Sequence, residues 1–117
     1  MKIAFTVNES KESTLFDKRF GRAGAIAIYD TENKKIEFHN NLQNQNAAQG
    51  AGIQAAQNII DLGVSALVTG NCGPKAFKVL SQSNIIIYNC NSNSLIEAIE
   101  EYSTGKLSNS IQTNSNI

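Results

Sequence analysis

Apolar residues fall in short bursts along the chain, and the period of each burst sets the element expected there. The run "KIAFTV", Lys2–Val7, reads as a strand buried on at least one face. A polar loop, "NESKEST", follows, and "LFDKRFGRAGA" is irregular because Gly21 and Gly24 break any helix. Two β-rich runs, residues 26–29 and 35–39, flank the turn-rich "DTEN" and predict a hairpin. In "GAGIQAAQNIIDLG", Ile53, Ala56, Ile59 or Ile60, and Leu62 recur at helical spacing, with Gly63 as the stop. "SALVT" is a short buried strand, and "PKAFKVLSQS" a helix with Pro74 in its first turn. "NIIIYN" is a further strand, and "SLIEAIEEYSTG" an amphipathic helix ending near Gly105.

The order β-β-β-α-β-α-β-α predicts an α/β domain. Its first three strands should form an antiparallel meander, and the last two should join by right-handed parallel crossovers. The result is a five-stranded mixed sheet with about three helices. One domain is expected over residues 1–107, with a polar, disordered tail at 108–117. Neither that tail nor "NNLQNQNAAQ" can bury much surface.

Composition narrows the function classes. Ten basic side chains balance ten acidic ones, so no overall field favours nucleic acid or an anionic membrane. No apolar run approaches the roughly 20 residues of a spanning helix. The N-terminus enters a strand with no secretory h-region, which leads to the expectation of a cytoplasmic protein. Two cysteines, Cys72 and Cys90, fit no zinc or C-x-x-C spacing and are expected as free thiols.

Several segments carry possible chemistry. "GAGIQA" matches G-x-G-x-x-A, but a polar loop precedes it and no ribose-binding acid follows about 20 residues on, so a dinucleotide site is rejected. The free N–H groups at that helix start remain a possible anion site. "KRFGRAG" sets Lys18, Arg19 and Arg22 around Phe20 and Gly21. This is either a solvated basic loop with one aromatic anchor or an electropositive lip for an anionic ligand. The single histidine, His39, has no acid–base partner in any nearby motif.

Cys72 lies in "TGNCGPKAF", between Asn71 and Gly73 at the entrance of a helix. The helix N-terminus and Lys75 should both favour its thiolate. Cys90 follows the next strand. If the two strands are parallel neighbours, both sulfurs should reach one sheet edge and present soft ligands to iron or copper. The alternative is two small, partly buried residues at strand ends. Hydrolytic motifs and paired carboxylates are absent, and the end of the first strand offers only Asn8 and Glu9 toward a two-metal nuclease. The chain reads as a binder and not as an enzyme.

The blocks "FGRA", "GAGIQAA", "DLGV" and "G-x-x-GP-x-AF-x-VL" occur in that order between Met1 and about Leu107. In this the chain resembles the dinitrogenase iron–molybdenum cofactor biosynthesis family, the small NifX-like carriers whose domain also ends NifB proteins. The resemblance implies a ribonuclease-H-like fold and a non-catalytic role in receiving or carrying an iron–sulfur or iron–molybdenum-type cluster or its precursor. It implies cluster donor and acceptor proteins as partners, with no nucleic acid or membrane, in a monomer or weak homodimer. Many members are standalone proteins of anaerobes.

Relatives often have histidine where this chain has Arg19 and Gln49. Arginine cannot ligate a metal but can pair with a cluster's negative charge. On this reading Cys72 is the leading metal ligand and Cys90 the second. Arg19, Arg22 and Lys75 supply positive charge beside Phe20, Gly21 and Asn71, and the backbone at Gly50, Gly52 and Gly73 supplies N–H donors. The competing reading is a module for a small anionic metabolite or a protein partner, with structural cysteines and no metal.

Overall fold

The computed structural model describes residues 1–40 and 51–109. Six strands form one sheet: β1 (Lys2–Val7), β2 (Ala25–Asp30), β3 (Ile36–Asn40), β4 (Ala66–Thr69), β5 (Ile86–Asn89) and the two-residue β6 (Ser108–Asn109). Among the described residues, three helices accompany them: α1 (Ala51–Asp61), α2 (Pro74–Gln82) and α3 (Leu95–Ser103). The strand order is β3-β2-β1-β4-β5-β6. β1, β2 and β3 pair antiparallel as a meander, while β4 pairs parallel with β1 and with β5. The expected mixed α/β sheet with three helices is therefore present.

β6 is the addition. Ser108 and Asn109 pair with Asn89 and Tyr88, although the sequence places them in the polar tail. A ladder bond at a sheet edge uses backbone groups alone, so side-chain periodicity gives no sign of it. Residues 41–50, with Gln49 and Gly50, and the rest of the tail lie outside the described residues.

Strand alternation divides the core in two. Ala4, Ile26, Ile28, Leu67 and Ile87 face α1 and α2, where Ala55, Ala56, Ile59, Ala76 and Leu80 complete a buried cluster. Ile3, Phe5, Val7, Ala27, Tyr29 and Val68 point the other way, toward Leu95 and Ala98 of α3. β1 and β4 are buried on both faces, which is why they read as almost unbroken apolar runs. α3 begins with a capping arrangement. Ser94 Oγ accepts from the Glu97 N–H at 3.2 Å, and Glu97 Oε1 accepts from the Asn93 N–H at 3.0 Å.

Candidate functional site

The carboxyl ends of β1, β4 and β5 lie side by side, and the segment after Phe16 is stapled across them. The Asp17 N–H donates to the Thr6 carbonyl at 2.8 Å. The buried Thr6 hydroxyl donates back to the Asp17 carbonyl at 2.5 Å. Its one hydrogen is thereby committed, so in the 2.8 Å contact between the Thr6 and Thr69 hydroxyls Thr69 is the donor. The Asn71 N–H then reaches the Lys18 carbonyl at 3.3 Å. This crossing is close enough to require glycine at position 70. A Cβ there would lie 2.5 Å from both Lys18 Cβ and the Lys18 carbonyl oxygen.

Asp17 is buried, with 4% of its side chain exposed, and holds Arg19. Its carboxylate accepts from the Arg19 backbone N–H at 2.9 Å, from Nε at 3.0 Å and from Nη2 at 2.8 Å. This two-pronged pair raises the guanidinium's pKa through hydrogen bonding and charge. Arg19 does not stand as an uncommitted cation, because its charge is met by the buried Asp17 carboxylate.

Between these strand ends lies a cleft of about 460 Å3, lined by Lys18, Gly70, Asn71, Asn89, Cys90 and Asn91. Its side chains are one ammonium, three amides and one thiol, with no carboxylate. The Cys90 N–H donates to the Thr69 carbonyl at 2.9 Å, extending the β4–β5 ladder by one bond. Its thiol donates to Ser92 Oγ at 3.2 Å, and Ser92 Oγ donates to Glu101 Oε2. Cys90, Ser92 and Glu101 thus form a line from the cleft to α3.

The two sulfurs do not share an edge site as expected. Cys90 is buried in the cluster beneath α3, whereas Cys72 packs against the cluster beneath α1 and α2. β4 and β5 are indeed parallel neighbours, with Thr69 opposite Asn89. Cys90 keeps the strand's alternation, but after Gly70 the chain turns toward α2 and carries Cys72 to the other face.

The thiolate expectation for Cys72 is also overturned. Burial pushes its pKa from the ordinary 9.0 to about 11, and its thiol donates to the Gly73 carbonyl at 3.5 Å. Desolvation by burial is the dominant influence on the thiol, and Lys75 stands exposed to solvent. Gly73 has φ 80° and ψ 161°, a conformation nearly reserved for glycine, and its N–H donates to Asn71 Oδ1 at 3.0 Å.

Phe20 is a core residue, 3% exposed, in the cluster beneath α1 and α2. Gly21 and Arg22 continue the loop, half-buried. Gly52 sits in the first turn of α1, where an added Cβ would lie 4.0 Å from Ala76 Cβ. Gly50 lies outside the described residues.

Sequence reasoning misses Asn89, Asn91, Ser92 and Glu101. The only available signal is the polar "NCNS" that directly follows an apolar strand. Among the described residues, no three or more His, Cys, Asp or Glu side chains gather as a metal-ion cage. No helix among them is long and apolar enough to cross a membrane.

Known proteins are similar to this chain over nearly its whole length. The uncharacterized protein MJ0580 of Methanocaldococcus jannaschii is 34% identical over 109 residues, covering 92% of this chain and 89% of its own. The apo form of the orange protein from Desulfovibrio gigas superposes with a TM-score of 0.89 at 31% identity, covering 94% of this chain and 92% of that one. A Thermotoga protein solved by NMR gives a TM-score of 0.81 at 29% identity, with coverage of 93% and 92%. The family model described as dinitrogenase iron-molybdenum cofactor matches residues 1–105, and the chain belongs to that family.

Proposed function

We propose that the protein is a non-catalytic carrier that receives an iron–sulfur-type cluster, or a precursor of an iron–molybdenum cofactor, in the cleft at the carboxyl ends of β4 and β5. The observation that carries this reading is the lining of that cleft. A sulfide-rich cluster is anionic and soft. Lys18 offers it charge, the amides of Asn71, Asn89 and Asn91 offer N–H donors to sulfide, and Cys90 offers a matching sulfur ligand. The absence of a carboxylate among the lining side chains removes the group that would repel such cargo.

Cys90 binds metal as a thiolate, and the line through Ser92 gives its proton a path. The thiol proton passes to Ser92 Oγ as the Ser92 proton passes to Glu101, which hands it on to solvent at the partly exposed end of the line. Arg19, locked to Asp17, orients the loop that carries Lys18. Cys72 serves as a packing residue on the opposite face. The family supports this role, as does a close structural relative solved in an apo form, the term for a protein without its bound group. The cytoplasm and cluster-assembly proteins are the natural setting and partners for such a carrier.

The test is anaerobic incubation with iron and sulfide, followed by desalting, metal analysis and visible absorption. Wild type should retain iron with a sulfide-to-metal charge-transfer band, and Cys72→Ala should match it. Cys90→Ser and Lys18→Ala should each retain about tenfold less, the order expected when a ligand or a charge-assisted contact is lost. Wild type without bound iron or colour would end the iron–sulfur reading.

A second reading is favoured by the packing of both thiols into apolar clusters. Here the cleft holds a small anionic metabolite through Lys18 and the amides, and no metal binds. Thermal stabilisation by small anions, unchanged in Cys90→Ser and lost in Lys18→Ala, would select it.

A further inference from the structure

The chain contains three tyrosines and no tryptophan. All three, Tyr29 from β2, Tyr88 from β5 and Tyr102 from α3, line one cavity of about 420 Å3 on the face that carries α3. They come from elements far apart in sequence, and the cleft near Cys90 includes none of them. Tyr102 stands edge-on to Tyr88, with ring centroids 5.5 Å apart and planes at 79°. It is also edge-on to Phe5 at 6.4 Å and 87°, which fixes its ring against the sheet.

The remaining wall is polar. Lys34, at the β2–β3 turn, contributes an ammonium, and Thr31 and Ser103 contribute hydroxyls. Lys34 is itself held in place. It adopts φ 64°, and its N–H donates to the Asp30 carbonyl at 2.8 Å. No acidic residue lines the cavity. The Tyr102 hydroxyl donates to the Met1 thioether at 3.7 Å, a weak acceptor that a ligand oxygen would readily replace. Burial and the neighbouring Tyr88 push the Tyr102 pKa up, so this phenol remains a donor at neutral pH.

We infer that this cavity is a second binding site, for a small planar aromatic molecule bearing a carboxylate. Tyrosines from three separate elements suit a flat π-system, and the volume falls within the range of small-molecule pockets, roughly 300–1,000 Å3. Lys34 on one wall, with no carboxylate opposing it, selects an anionic substituent. A saturated acid would gain the charge contact without the stacking, and a neutral aromatic would gain the stacking without the charge. The site is separate from the cluster cleft and does not depend on that reading.

Tyrosine ring resonances report on this cavity alone, because every tyrosine of the chain lines it. The experiment is NMR of full-length protein with ring-labelled tyrosine, titrated with indole-3-acetate, neutral indole and cyclohexanecarboxylate. Saturable shifts of all three tyrosines are expected with indole-3-acetate, weaker ones with indole, and none with cyclohexanecarboxylate. Lys34→Asn, which keeps a residue tolerant of positive φ, should weaken indole-3-acetate about twofold to fivefold and leave indole unchanged. Tyr88→Leu should abolish both, and Tyr102→Phe, which keeps the ring, should retain indole.

Absence of saturable shifts in wild type at about 10 mM ligand, above the millimolar floor of weak binding, would overturn the proposal. So would equal shifts with cyclohexanecarboxylate. Iron and sulfide retention should be the same in Tyr88→Leu as in wild type, so the two sites can fail separately.

Discussion

The two faces of the sheet are built differently. Beneath α1 and α2 the cluster is almost wholly aliphatic, with Phe20 as its one fully buried aromatic ring. Beneath α3, the one helix of the described residues on the opposite face of the sheet, the space is filled with rings: Phe5, Phe16, Tyr29, Phe38, Tyr88 and Tyr102. Two helices can close-pack a sheet face, whereas one helix leaves margins that large rings bridge without filling. The tyrosine cavity is such a margin, and Cys90 reaches from this face to the cleft at the strand ends. On the proposed readings, stability is concentrated on the aliphatic face and binding lies toward the face that carries α3.

The largest test of this contrast is a pair of truncations. Leu80 is fully buried on the aliphatic face, and Leu80→Ala should cost about 2–5 kcal/mol. Ile99 is half-buried on the other face, and Ile99→Ala should cost less than about 2 kcal/mol, because its neighbourhood is already open to water. Urea unfolding of both variants at constant m-value measures the difference. Equal losses would mean that the two faces are packed alike.

A smaller test compares two glycines. Gly70→Ala drives a methyl group into Lys18, including its backbone, so about 1–3 kcal/mol should be lost as the 17–19 crossing is displaced. Iron retention should fall with it, since Lys18 lines the cleft. Gly52→Ala meets only ordinary contact with Ala76 in a helix, so it should stabilise by about 0.5–1 kcal/mol and leave the cleft unaffected. Denaturant midpoints of the two variants should move in opposite directions.

Legibility in the sequence follows the same division. Alternation and helical spacing locate β1 to β5 and all three helices to within a residue or two, because burial against a regular partner imposes a regular pattern. The aliphatic core can be read at Ile59 and Leu80 for that reason. The site is harder to read. Arg19 is recognisable as a charge, but its fork onto Asp17 depends on a tight local turn that no spacing rule encodes. Asn89 and Asn91 resemble ordinary loop residues until the strand ends align them. The three tyrosines lie 59 residues apart or 14 apart along the chain, and only the fold brings them together. Cys72 misleads most, since its motif suggests an activated thiol while the turn after Gly70 sends it into an apolar cluster.

The cysteines give the finest test, because the contrast between the faces should appear in their chemistry even where stability barely changes. With its pKa raised to about 11, Cys72 has about one part in ten thousand as thiolate at pH 7. Its alkylation by iodoacetamide should therefore run about a hundredfold slower than that of an unperturbed thiol near pKa 9. The same shift fixes a stability signature. The folded pKa lies above the unfolded value, so between pH 9.0 and about 11 the native state holds more proton than the unfolded one, and stability must fall as pH rises through that window. Below pH 9.0 Cys72 should contribute no pH dependence. Cys72→Ala removes the thiol, so its unfolding free energy should lose the part of the alkaline slope that begins near pH 9.0 and keep the part due to Tyr102, while Cys90→Ala should keep both. A Cys72 that reacts at the rate of a free thiol at pH 7 would show that it is not shielded in the cluster beneath α1 and α2, and the division of labour between the faces would no longer hold for the two sulfurs.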